Sequence, residues 1–138
     1  MRIVICGSMT FAQEMINTAK KLEEKGHQVF FPPLAPEFVD GRRTKDCGGE
    51  DVSAKKHIDA LNLFYQEIKK ADAILVLNYT KRGIDNYIGA NSLIEMAFAH
   101  VLGKKIFILN PTPQMDYSSE IIFMEPVVLN GDLGKVSQ

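Results

Sequence analysis

Apolar and polar positions fall in blocks along the chain, and the period changes from block to block. Residues 2–6, RIVIC, turn apolar after Arg2 and stop at Gly7-Ser8, which predicts a buried strand. From Thr10 to Lys25 the spacing is helical, with Phe11, Met15, Ala19 and Leu22 on one face and Gly26 as the stop. HQVFF (27–31) predicts a second strand, closed by Pro32-Pro33. A helix is expected over 57–70, with Leu61, Phe64, Tyr65 and Ile68 as its inner face. DAILVLN (72–78) is the clearest strand, a continuous apolar run of the kind covered on both faces. A loop follows over 79–90, then a helix carrying LIEMAFAHVL (93–102) and ended by Gly103. KIFIL (105–109) is a further strand, closed by Asn110-Pro111; SSEIIFM (118–124) predicts a short helix and PVVL (126–129) a short last strand.

Strands alternating with helices imply a parallel sheet joined by right-handed crossovers. The expected fold is therefore α/β: a flavodoxin- or Rossmann-like three-layer sandwich with a five-stranded parallel sheet in the order 2-1-3-4-5. In that order a ligand crevice lies beyond the carboxyl ends of strands 1 and 3. Gly7, Ser8 and Met9 flank it on one side. Asn78, Asn91 and Ser92, in the segment from Asn78 to the start of the apolar helix, flank it on the other. These six are the candidate substrate-binding residues.

The stretch 32–56 breaks the pattern. It is polar, rich in Pro and Gly, and contains GRRTKDCGGED. Pro32, Pro33 and Pro36 argue against regular structure at its start, and the segment leaves the crevice end of strand 2. Two expectations stand side by side: a mobile lid over an anionic ligand, and a surface loop without a role.

With 138 residues the chain reads as one domain, 1–138. A net charge of -1 gives no basic footprint for a nucleic-acid polymer. Two cysteines without a CxxC pair read as reduced thiols of a cytoplasmic protein. His27, His57 and His100 match no metal spacing, and no metal or cofactor is expected. The apolar run in MRIVICGS is short for a signal peptide, and no stretch is long enough to span a membrane.

Glu95 is the candidate catalytic residue. It is the only charged side chain between Asn86 and Ala99, in a helix apolar on nearly all sides. Burying a carboxylate is expensive, so it either finds a partner or serves a site. Ser92-Leu93-Ile94-Glu95 fits a capping box, in which Glu95 bonds back to the backbone of Ser92. The functional alternative puts Glu95 at the crevice as nucleophile or base, and both hold if the helix starts near Gly89. Lys81-Arg82 and Arg42-Arg43 are candidate phosphate ligands, or solvated surface. Gly7-Ser8 lies in neither GxGxxG nor GxxxxGK[ST]. The chain lacks a flavodoxin phosphate loop, and Asn78 stands where a response-regulator receiver needs Asp. Asp72, at the far end of the sheet, reads as structural. Apolar Met96, Phe98 and Val101 point in different directions from the helix, which predicts contact with a second copy, a homodimer or higher homo-oligomer.

Three pieces resemble the nucleoside 2-deoxyribosyltransferase-like superfamily, which includes the 2'-deoxynucleoside 5'-monophosphate N-glycosidases. They are VICGSM, IKKADAILVLN and GANSLIEMAFAHVLGKKIFIL, the last being the most specific. The resemblance implies that Glu95 attacks C1' of the sugar, that a glycosyl-enzyme forms, and that water or another base resolves it. It further implies that Ser92 is a small hydroxyl residue beside the nucleophile, that Gly7 and Ser8 line the sugar or phosphate pocket, and that the ligand is a small nucleoside or nucleotide. Dimers are common in the family. The chain departs from the pattern at Phe64, where members carry a helper Asp, and at Asn91, where several have glycine. Asp59 lies about 140° around the helix from Phe64, whereas His57 shares its face. A non-catalytic nucleotide-binding module of the same fold is therefore the alternative function. The phosphoribohydrolases called lysine-decarboxylase-like also open on a strand and CGS, but they need a PGGxGT run that IGANS lacks.

Overall fold

The computed structural model describes residues 1–41 and 59–137. Parallel strands β1 (Arg2–Gly7), β2 (Gln28–Phe30), β3 (Ala73–Leu77), β4 (Lys105–Ile108) and β5 (Val127–Val128) form one sheet in the order β2-β1-β3-β4-β5. The main helices are α1 (Ala12–Glu24), α2 (Ala35–Val39), α3 (Ala60–Lys70), α4 (Ala90–Val101) and α5 (Ser118–Phe123). Short 3-10 turns lie at Met9–Phe11 and Leu133–Lys135. The fold class and strand order are those expected from the hydrophobic blocks.

Side-chain alternation on β1 splits the core in two. Val4 and Cys6 face one side, in a cluster with Phe64 and Ile68 of α3, Met96 and Ala99 of α4, and Ile121 of α5. Ile3 and Ile5 face the other, with Met15, Ala19 and Leu22 of α1. Phe11 is buried as well, so the face expected for the first helix is its packed face. All five residues of β3 are buried because helices cover both sides of the sheet.

Gly7 suits its place in both backbone conformation and space. Its φ is +155°, and a Cβ there would stand 3.2 Å from Met15 Cε and 3.3 Å from the Leu77 carbonyl oxygen. Backbone special to the crevice continues in the β3–α4 connection. Lys81 and Ile84 exchange backbone hydrogen bonds of 3.1 and 3.0 Å across Arg82 and Gly83, both at positive φ. That is a two-residue hairpin of the I′ type.

Three expectations need correction. Leu61 is 43% exposed, so the inner face of α3 narrows to Phe64 and Ile68, with Tyr65 half-buried against Phe98. The helix also begins later than expected: the Asp59 carboxylate accepts from the Asn62 amide at 3.0 Å and caps it. The proline-rich start of the long connection is not irregular throughout, for Ala35–Val39 is helical with Pro36 in the first turn. A proline there removes only an N–H that has no intrahelical partner. The rest of that connection, 42–56, lies outside the described residues, as do Arg42, Arg43 and His57.

Candidate active site

The sheet order reverses between β1 and β3, and α1 and α4 pack on opposite faces of the sheet. The carboxyl ends of these two strands therefore border a crevice. Helix α4 starts at Ala90 with Gly89 as N-cap, and the cap makes no side-chain hydrogen bond. Ser92 is thus the third helical residue rather than the cap, and the capping-box reading gives way. Glu95 lies one turn further along, on the buried face with Ser92, Met96 and Ala99.

Glu95 is 8% exposed. Its environment is defined by Cys6, the last residue of β1 to point toward α4. The Cys6 thiol is the neighbouring group that acts on the Glu95 carboxyl. Burial pushes the Glu95 carboxyl up from 4.5 to about 8, and the Cys6 thiol pulls weakly the other way. The Cys6 thiol is held well above its usual range, first by burial and then by the charge of Glu95. Loss of hydration is the larger of the two effects, so the free site holds Glu95 largely protonated at neutral pH.

The turn after β1 makes a second cluster. Ser8 caps the 3-10 turn, its Oγ accepting from the Thr10 amide at 3.3 Å. Lys81 reaches across from the β3–α4 hairpin, its Nζ donating to Ser8 Oγ at 2.7 Å. The same ammonium sits 5.7 Å from the centre of the Tyr87 ring. A cation and a hydroxyl thus meet at one mouth of the crevice. Arg82 sits exposed at the hairpin tip, Asn91 is exposed in the first turn of α4, and Met9 is half-buried against the α1-side core.

Asn78 has a different setting. It is fully buried; its Nδ2 donates to the carbonyls of Asn110 at 2.8 Å and Pro111 at 3.2 Å. Its Oδ1 accepts from the Asn110 amide at 2.8 Å, and the Asn110 side chain donates to the Asn78 carbonyl at 3.1 Å. The amide therefore ties the end of β3 to the end of β4. Asp72 does similar work at the opposite end, accepting from the Arg2 amide at 2.8 Å.

Three residues that sequence reasoning left unassigned shape the site. Cys6 is one. Tyr87 lies against Gly89, whose Cβ would fall 3.3 Å from the ring. Tyr117 comes from before α5 and donates its hydroxyl to the Ile88 carbonyl, just ahead of α4. Cys6 was legible as a strand residue, but which helix its face meets is not written locally. Among the described residues no cluster of three or more His, Cys, Asp or Glu could hold a metal, and no helix is long and apolar enough to cross a membrane.

No family model matches the sequence, and no curated protein does. Among solved structures, the CMP N-glycosidase BcmB of Clostridium botulinum superimposes with a TM-score of 0.51. The two are 20% identical, over 93% of this chain and 85% of that one. The chain shares the architecture of that structure. At this identity the likeness speaks to architecture, and the chemistry rests on the residues in the crevice.

Proposed function

We propose that the protein cleaves the N-glycosidic bond of a nucleoside or nucleotide, with Glu95 as the nucleophile. The observation that carries this reading is the buried Glu95 carboxyl at the crevice of the sheet, raised to about 8. A strongly perturbed titratable group in a cleft is a candidate for a functional site. The shared fold with a CMP N-glycosidase supports the same class of chemistry.

In the proposed reaction a carboxylate oxygen of Glu95 bonds to C1' as the C1'–N bond breaks. The bonding pair departs with the base, which takes up a proton. Water then attacks C1' of the glycosyl ester, returns the Glu95 carboxylate and releases the sugar; a second base in place of water makes the reaction a transfer. Attack requires the ionised form of Glu95. A poorly hydrated carboxylate is held at a cost in the free protein, and the cost falls as C1' gains positive charge, so stabilisation is concentrated in the transition state. Lys81 and Ser8 provide the pole for an anionic substituent, a 5'-phosphate being the natural one.

Purified protein should release free base from members of a panel of ribo- and deoxynucleosides and their monophosphates, CMP included, read by chromatography. Glu95→Gln should lower the rate by about 10³-fold or more. Full activity in that variant would remove Glu95 from the mechanism. A second reading is a non-catalytic nucleotide-binding module. It is favoured by Phe64, 6% exposed and packed edge-on to Phe30 at 5.6 Å, where the resemblance calls for a carboxylate. A nucleotide that raises the melting temperature while no base is released from any substrate would favour it.

A further inference from the structure

We propose that Tyr87 is a positioning residue for Lys81: its ring, fixed beside the Gly89 cap of α4, holds the Lys81 ammonium at the Ser8 hydroxyl and presets it for an anionic group of the ligand. The proposal rests on the reading of Lys81 and Ser8 as the anion pole of the substrate site. Three atoms define the arrangement. The Lys81 Nζ lies 2.7 Å from Ser8 Oγ and 5.7 Å from the centre of the Tyr87 ring. That is within the range in which an aromatic face attracts a cation. Ser8 is fixed as well: its hydroxyl donates to Thr10 Oγ1 at 3.2 Å, which leaves its oxygen to accept from Lys81 and from the Thr10 amide.

The backbone on both sides of Tyr87 is pinned. Its own amide donates to the Tyr79 carbonyl at 3.1 Å and closes the base of the loop. Inside the loop the Thr80 hydroxyl donates to the Asp85 carboxylate at 3.2 Å, and Lys81 and Ile84 pair across the tip. The next residue, Ile88, is buried in the α4-side core, and its carbonyl accepts from the Tyr117 hydroxyl. The ring then lies beside Gly89, where a Cβ would stand 3.3 Å from Tyr87 Cε1 and 3.5 Å from its hydroxyl oxygen. Gly89 has φ -80° and ψ 173°, a conformation open to any residue. What glycine supplies at this cap is room beside the ring, not conformational freedom. A lysine stem is otherwise flexible, and ordering it only when the ligand arrives costs affinity. A ring that orders it beforehand removes that cost, worth about 3- to 5-fold in affinity for an anion.

The contact is tested first without ligand. Lys81 side-chain resonances are assigned by NMR with Lys81→Met. The ring should shift the Lys81 Hε protons upfield in wild type and in Tyr87→Phe, and Tyr87→Leu should abolish the shift. Identical Lys81 resonances in wild type and Tyr87→Leu overturn the proposal; should Tyr87→Leu not fold, Tyr87→Met takes its place. Binding is then measured by calorimetry with CMP and cytidine in the Glu95→Gln background, where the proposed reaction is blocked. Tyr87→Leu should weaken CMP about 3- to 5-fold, Tyr87→Phe should restore it, and cytidine should respond to neither. In Lys81→Met the Tyr87→Leu change should add nothing, because Tyr87 acts through the lysine. Equal weakening of CMP and cytidine, or an effect that persists in Lys81→Met, would mean packing alone and overturns the proposal. CMP preferred to cytidine but indifferent to Tyr87→Leu sinks the Tyr87 role and leaves the pole standing. CMP bound no better than cytidine sinks the pole and the proposal with it. Should neither bind, inorganic phosphate is titrated against the Lys81 resonances: failure to move them has the same consequence, and where they move, Tyr87→Leu should raise the midpoint by the same factor. Base release plays no part in these measurements, so failure of the N-glycosidase chemistry is read separately.

Discussion

Replacing Glu95 by glutamine isolates what it costs this fold to keep a carboxyl group inside. The side chains have nearly the same shape and volume. What changes is ionisation. The Glu95 carboxyl is raised from 4.5 to about 8 in the folded protein. Between those values the unfolded chain has released the proton and the folded chain still holds it. The folded state thus binds more protons, and the free energy of unfolding falls as pH rises through that window. At 1.36 kcal/mol per pH unit, the full span corresponds to on the order of 4–5 kcal/mol. Because Glu95 is only 8% exposed, solvent screening takes little from that figure. Glutamine has no such term. Urea unfolding at pH 5, 6, 7 and 8 should therefore show Glu95→Gln close to wild type at pH 5 and more stable by several kcal/mol at pH 8, a large part of the stability of a domain this size. Parallel pH dependence of the two proteins, within about 1 kcal/mol, would show that Glu95 titrates normally. A normally titrating Glu95 would not be the perturbed carboxyl that the proposed reaction needs.

Gly7→Ala should destabilise the protein by about 2 kcal/mol, since its Cβ meets Met15 and the Leu77 carbonyl at 3.2 and 3.3 Å; an unchanged midpoint in thermal unfolding would contradict the tight turn. Asn78→Ala removes the side chain that links the ends of β3 and β4, and chemical denaturation should register a loss of about 2–4 kcal/mol from the orphaned carbonyl and amide. Lys81→Met should weaken a nucleoside monophosphate about 10-fold while leaving the nucleoside nearly unaffected, as read by calorimetric titration; equal loss for both would take Lys81 away from phosphate. Light scattering at micromolar concentration should give the mass of a homo-oligomer, with Val101, 83% exposed, and Phe123, 77% exposed, as apolar side chains available to an interface; a monomeric mass would count against it.

Local chemistry determined the elements and the sheet. Period and length distinguish strand from helix, and alternating the two forces a parallel order with one switch point, so β1, β3 and α4 and the crevice between them were legible in the sequence. Glu95 was legible too, because a lone carboxylate in an apolar helix is an energetic anomaly wherever the helix lands. The partners were not. Whether Glu95 bonds back to its own helix or to another element depends on where the helix starts, and Gly89 rather than Ser92 takes the cap. Cys6, 89 positions away, becomes its neighbour only because β1 and α4 face one another. Lys81 and Ser8 looked like separate candidates until the I′ hairpin brought the ammonium within 2.7 Å of the hydroxyl. Asn78 looked like a crevice residue from its place at a strand end, but its amide faces the neighbouring strand and ties it instead. Leu61 has the right helical phase to be buried and still lies open to water, since phase gives a direction and only the packed neighbour covers it. Sequence periodicity sets which way a side chain points along its own element. Tertiary packing alone decides what it meets there, because the contacts that shift a pKa or complete a site join residues whose separation along the chain carries no signal.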